Sequence, residues 1–192
     1  LRTSEQLACP ACGMVYPLSN NVPVLLPSTK QQEAIVEGES QNISLDELQA
    51  IYDRAYEHDG LMGTDLDETY DRVTKQILLS FAEPLDGKRL LDVGTGVGKL
   101  WDYVTAGVEG YAFDLSTIGV LRATERHPNL TVSVSIAEYI PYPDNFFDAV
   151  LAVDTIEHTF SPLRALQEIH RVLEPGGIMS ASFPTPDSLR KW

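Results

Sequence analysis

Asp92-Val-Gly94-Thr95-Gly96-Val-Gly98 sets three glycines at alternate positions directly after the apolar run Leu90, Leu91 and Val93. Such a run reads as a strand buried on both faces, and the glycines clear side chains from the turn that follows. A ligand could then touch backbone. Positive φ lets the chain reverse there and aim the free N–H groups of a helix starting near Lys99 at a polar or anionic group. A phosphate-binding loop of the GxxxxGK type, closed by Ser or Thr, does not fit. Leu100 follows Gly98-Lys99, and Val93 stands where the first glycine belongs. A dinucleotide GxGxxG pattern puts Lys99 at its third glycine, which leaves a weak match. Asp114, at the end of GYAFD, can accept hydrogen bonds from both hydroxyls of a ribose, while Ser116 is better placed to cap the next helix. That carboxylate suits any adenosine-type ligand.

Two further groups carry chemistry. His158 follows the strand FDAVLAVD, and histidine exchanges protons near neutrality, so it is the leading general-base candidate beside a plain packing role. His127 beside Pro128 and His170 within a helix have no motif reason to be catalytic. Cys9 and Cys12 form a CxxC knuckle before Gly13, one edge of a tetrahedral zinc site that needs four ligands. Inert thiols are an alternative. A redox pair is weaker, because no thioredoxin-like strand and helix surround it.

These residues need a frame. From Arg89 onward strand and helix patterns alternate: RLLDV, KLWDYV, GYAFD, a Ser116-capped helix to about Arg126, LTVSVS and FDAVLAVD. A helix with Ser161 at the N-cap and Pro162 at N1 follows, then Pro175-Gly176-Gly177 and the strand IMSASF. The fold class is α/β, a doubly wound and mainly parallel sheet. Four parts are expected: an accessory segment at 1–27, a linker at 28–43, N-terminal helices at 44–88 and the core at 89–192. Ser44 and Glu47 make a capping box for a helix whose Leu45, Leu48, Ile51, Tyr52, Ala55 and Tyr56 share a face. A loop and potential lid at 58–68 precedes a helix from about Thr69 that buries Tyr70, Val73, Ile77, Leu78 and Phe81.

The 192 residues, 43% hydrophobic, suffice for one core and a small appendage, and a formal charge of -14 opposes binding to nucleic acid or an anionic membrane. No apolar run reaches the length of a membrane span and no signal peptide is visible, so the expected location is cytoplasmic.

The acidic-x-Gly-x-Gly-x-Gly pattern from Asp92 to Gly98 resembles motif I of the class I S-adenosylmethionine (SAM) dependent methyltransferases. Ala137 to His158, AEYIPYPDNFFDAVLAVDTIEH, and PLRALQEIHRVLEPGG are similar to later segments of the same family, in the right order. The resemblance implies a Rossmann-like methyltransferase fold that binds SAM or S-adenosylhomocysteine. Asp92 would reach the methionine moiety, with Gly94, Thr95 and Gly96 lining its approach. Asp114 and Leu115 would hold the ribose side, and Ala137 and Glu138 the adenine. Asp154 or Thr155 would line the crevice, and Tyr56 or Tyr52 would close over the cofactor. In-line alignment of acceptor and S–CH₃ bond supplies much of the rate of such a transfer, so a base is optional.

Residues 7–27 resemble the second half of the small zinc-ribbon-like Trm112 domain, in CxxCG, then YP, then VPVLLP. The first cysteine pair of that family would lie before Leu1, so zinc would need a second chain. Both ends read as cut, and the fold is expected to lack its last two strands. The strand 178–183 would then be an edge, to be covered by Val22–Leu26, by a second subunit or by residues beyond Trp192. The expected acceptor is a small molecule, and a homodimer or a partner subunit is expected. A SAM-binding partner or regulatory subunit without catalysis is the alternative, and an NAD-dependent oxidoreductase the weaker one.

Overall fold

The computed structural model describes residues 6–10, 13–36, 43–57 and 68–183. Its main sheet has five parallel strands: β4 (Arg89–Val93), β5 (Glu109–Asp114), β6 (Thr131–Val134), β7 (Phe147–Val153) and β8 (Leu173–Ser182). Their spatial order is β6-β5-β4-β7-β8. The winding direction reverses beside β4, the place where doubly wound sheets open a crevice at the carboxyl ends of their strands. Leu90, Leu91, Val93, Val150 and Leu151 are fully buried, which explains the unbroken apolar runs. Helices α4 (Thr117–Arg126) and α5 (Pro162–Val172) start at Ser116 and Ser161, as the capping pattern predicts.

Helix α2 (Leu45–Glu57) carries the expected capping box: the Ser44 N–H donates to Glu47 Oε2 (2.9 Å) and the Glu47 N–H to Ser44 Oγ (3.2 Å). Its Ile51, however, is exposed. Helix α3 (Glu68–Ala82) is rotated from the expected orientation, with Leu78, Leu79 and Ala82 packing on Leu85, Leu90 and Leu151. Val73, Ile77 and Phe81, expected inside, are 42%, 50% and 65% exposed. The apolar surface of α3 is wider than one packing face, and the helix buries the side that meets the sheet. The side chain of Tyr70 and the loop 58–67 fall outside what is described.

Three other expectations change. KLWDYV forms one 3₁₀ turn, Lys99–Asp102, rather than a crossover helix, because Gly107 (φ 93°) returns the chain almost at once into β5. The stretch 28–43 is more than a linker: α1 (Thr29–Val36) lies within it, and Ile35 is 4% exposed. The last strand starts at Leu173, with a register irregularity between Phe147 and Ala149 that takes up Pro175-Gly176-Gly177.

The N-terminal segment is a small antiparallel sheet of β1 (Gln6–Ala8), β2 (Val15–Ser19) and β3 (Val22–Pro23). Its continuation covers the β6 edge: Val24 bridges Val134 in parallel, and the Leu25 N–H donates to the Val134 carbonyl (2.8 Å). Val22–Leu26 thus guards the edge opposite to the one expected, where a row of unpaired carbonyls and N–H groups would otherwise face water.

Candidate active site

The three strand ends at the crevice each deliver an acidic side chain in or next to the strand. Asp92 of β4 is 2% exposed, and its Oδ2 accepts from Thr95 Oγ1 (2.6 Å) and Trp101 Nε1 (3.0 Å). Burial pushes its carboxyl up to about 6, with nearby Asp114 acting in the same direction and the two hydrogen bonds opposing. Asp114 of β5 accepts from the Gly96 N–H (2.8 Å) and the Ser116 N–H (2.8 Å), and burial holds its carboxyl above the ordinary range. Glu138, after β6, is 2% exposed and accepts from the Ser161 N–H (3.1 Å) at the start of α5, and burial raises it too.

The N–H groups of the glycine turn itself are used within the protein, and the helix expected from Lys99 is only a single 3₁₀ turn. The Gly94 and Thr95 N–H groups both donate to the Phe113 carbonyl (3.0 Å each), Gly96 donates to Asp114, and Gly98 to the Thr95 carbonyl (2.9 Å). The turn permits close approach without offering an anion nest. Its glycines are still required by contact: a Cβ on Gly94 would stand 2.4 Å from the Thr155 side chain, and one on Gly96 would stand 2.6 Å from the Tyr56 hydroxyl.

Above this floor lies an open cavity of about 100 Å³. Among the expected residues, Gly94, Asp114, Leu115, Ala137, Glu138, Asp154, Thr155, His158, Tyr52 and Tyr56 line it. Asp92, Thr95 and Gly96 are not on its wall, although Gly96 meets Tyr56 and bonds to Asp114. Asp154 holds a left-handed φ of 47° and exchanges hydrogen bonds with Ser182 on β8. His158 is exposed at the rim, and its Nε2 is 4.0 Å from Glu157 Oε1. Both Glu157 carboxylate oxygens are buried without a hydrogen-bond partner.

Residues that the sequence reading passed over position α2. Asp53 Oδ1 accepts from Ser116 Oγ (2.6 Å) and the Ile118 N–H (3.1 Å), and Gln49 Nε2 donates to the Leu115 carbonyl (2.9 Å). Their spacing, four apart on a helix with Tyr52 and Tyr56 nearby, was the available signal. Gly119 was another: a Cβ there would come within 3.2 Å of the Tyr56 ring. Burial pushes the Tyr56 phenol far above its usual range, with Asp114 next in effect.

Cys9 sits at the β1–β2 turn, with its N–H donating to the Met14 carbonyl (2.8 Å), and Cys12 lies outside the described residues. Among the described residues, no group of three or more His, Cys, Asp or Glu is arranged to hold a metal. Among them, too, no helix is long and apolar enough to cross a membrane.

Comparison with known proteins adds to this geometry. Residues 91–181 match a methyltransferase domain model. The chain is 30% identical over 144 residues to a demethylmenaquinone methyltransferase of Renibacterium salmoninarum, covering 73% of this chain and 60% of that one. It is 38% identical over 112 residues to an uncharacterized methyltransferase of Mycobacterium tuberculosis, covering 57% and 45%. The chain therefore spans between 45% and 60% of the length of these curated relatives. Among solved structures, the cyclase SpnF superposes with a TM-score of 0.59 at 28% identity, covering 72% of this chain and 60% of that one. A chain from a complex of the Haloferax volcanii Trm112 methyltransferase activator with a methyltransferase also has a TM-score of 0.59, covering 69% and 59%. At 24% identity the second likeness concerns the fold alone.

Proposed function

Since residues 91–181 are a methyltransferase domain of the class I SAM-dependent kind, we propose that the chain binds SAM in the β4–β5–β6 crevice and methylates a small, largely apolar acceptor. The observation that carries the choice of ligand is the use of the glycine-turn N–H groups. Gly94, Thr95, Gly96 and Gly98 spend theirs within the protein, which disfavours a pyrophosphate and suits a nucleoside without phosphate. The donor set fits the rest of that ligand. Asp114 would take the ribose hydroxyls, Asp92 would balance a methionine ammonium, and Ala137 and Glu138 would border the adenine.

Bound SAM supplies a methyl group already activated on a sulfonium. The chain's own part is to align, to exclude water and to accept a proton where the acceptor carries one. Tyr52, Tyr56 and Leu48 wall the cavity from the α2 side, and Thr159 and Phe160 from the other. His158 is the proton-accepting candidate. Glu157 beside it would leave an imidazolium facing a carboxylate. The names of the curated relatives favour a ring-bearing acceptor of the quinol type. A homodimer or partner subunit remains part of the proposal for the whole protein, as does zinc held by Cys9 and Cys12 of two chains.

Calorimetry with SAM, S-adenosylhomocysteine and NAD tests the cofactor reading: binding of the first two and not the third is expected, and the reverse would overturn it. Transfer of labelled methyl groups to a panel of phenols and hydroquinones then tests the acceptor class.

A further inference from the structure

Among the described residues of 1–45 none lines the cavity, but several pack directly behind one of its walls. Ile136 and Phe160 face the cavity and belong to one buried cluster with Ile35 of α1 and Leu45 of α2, packed by Leu26, Leu48 and Leu115. The backbone makes the same connection. Leu25 donates to the Val134 carbonyl, Ser135 Oγ donates to the Leu25 (3.3 Å) and Tyr139 (3.1 Å) carbonyls, and the Ser135 N–H donates to the Asp114 carbonyl (3.0 Å). Ser135 is fully buried and also lines the cavity. One serine therefore joins the N-terminal segment, Asp114 and the loop that leads to Glu138. Below this, Val22 is 3% exposed and packs on Val120 and Val134, which closes α4 and β6 together.

We infer that residues 22–36 act as a built-in subunit that positions the base-side wall of the cofactor cavity, with Leu25, Leu26 and Ile35 as positioning residues. The inference rests on the proposed SAM site. Docking of Val22–Leu26 along β6 sets the place of Ser135 and Ile136, and the packing of Ile35 and Leu26 sets that of Ile136 and Phe160. Without this support the wall loses its apolar backing and the Ser135 hydroxyl loses an acceptor. Cofactor affinity and N-terminal docking are then two sides of one linkage, and each strengthens the other by the same factor.

The test uses the full chain with S-adenosylhomocysteine as probe. Leu26→Ala with Ile35→Ala is expected to raise the dissociation constant about tenfold or more, as a coupling of ordinary size. Leu79→Ala, in the separate cluster under α3, should lower the melting temperature comparably and leave affinity within about twofold, as independent sites do. Reciprocity supplies a readout that mere destabilisation would not move. Saturating probe should slow exchange of the Leu25 amide by clearly more than that of the Leu79 amide, since general stabilisation would slow both alike, as hydrogen–deuterium exchange of the unmodified protein would show. Affinity unchanged in the double variant, equal loss in Leu79→Ala, or Leu25 exchange indifferent to the probe would each overturn the inference. An unmodified chain that binds no probe would overturn the cofactor reading itself, and with it this inference.

Discussion

The two edges of the five-stranded sheet are finished differently. At β6 an N-terminal strand pairs with the backbone and Val22 seals the side-chain layer, and the cavity stands directly behind. At β8, Ile178 is 39% exposed and Phe183 52%, near the α3 stripe of Val73, Ile77 and Phe81. Among the described residues β8 pairs with β7 alone. One edge backs the cavity, and at the other the described residues leave apolar side chains exposed. Ligand chemistry and self-association should therefore separate by edge.

The largest expected effect is on stability at the covered edge. Val22→Asp would bury a carboxylate among Val120, Val134 and Val132, costing roughly 3 kcal/mol or more. Ile178→Asp should stay within about 0.5 kcal/mol. Chemical denaturation of both variants makes the measurement, and equal losses would erase the contrast.

A pH profile gives the next effect, of similar size. Burial raises Asp92, Asp114 and Glu138 in the folded state, all on the covered half. A carboxyl raised on folding holds its proton more tightly in the folded chain. Its contribution is unfavourable at high pH and is relieved as pH falls through the folded value, about 6 for Asp92. A shift of that size corresponds to ~3 kcal/mol. Melting temperature should rise from pH 8 toward pH 5, and Asp92→Asn should flatten the rise. At the other side Asp148 runs the opposite way: burial acts to raise it, but Lys88 and the Arg89 N–H outweigh that and hold it low. A rise that survives unchanged in Asp92→Asn would place its source elsewhere, in the general negative charge.

Asp114→Ala should cost about 1.5–3 kcal/mol of S-adenosylhomocysteine affinity, on the scale of hydrogen bonds to a charged group. Calorimetry checks it, and an unaltered affinity would remove Asp114 from the ribose. The smallest effect concerns the bare edge. Weak self-association at high concentration is expected, reduced by Ile77→Glu with Phe81→Glu and untouched by probe binding. Sedimentation showing a monomer for the unmodified chain would mean that this surface is compatible with water as it stands.

Much of the sheet was legible because buried parallel strands write themselves as apolar runs, as Leu90–Val93 and Phe147–Val153 do. Ser116 and the Ser44–Glu47 box fixed helix starts through local hydrogen bonding, whereas α5 starts after Ser161 with Pro162 in its first turn and no side-chain cap. Residues at the strand ends followed from topology, so Asp114, Gly94 and Asp154 fell on the cavity. Long-range partners were not legible. The spacing of Gln49 and Asp53 marks a polar pair beside Tyr52 and Tyr56 but does not name the helix start sixty-odd residues away that Asp53 caps, and nothing in VPVLLP chooses β6 over β8. The rotation of α3 was missed for a related reason: with apolar residues on more than one face, only tertiary packing decides which are buried. The helix expected from Lys99 did not form beyond one 3₁₀ turn, and the Phe113 carbonyl's hold on the Gly94 and Thr95 N–H groups is a long-range bond that the sequence does not write.

The Tyr56 ring, wedged where side chains on Gly96 and Gly119 would collide with it, has a consequence for time as well as affinity. A ligand settled beneath that ring would be retained by α2, which is held by Asp53 at the start of α4 and by Gln49 at Leu115. Residence of the bound nucleoside would then be governed by the opening of a helix. We expect Tyr56→Ala to speed dissociation of S-adenosylhomocysteine while leaving its association rate nearly unchanged, as stopped-flow mixing would read. If both rates rose together, the ring would be a gate in each direction, and the proposed methyl transfer would be bounded by the same motion that admits the nucleoside.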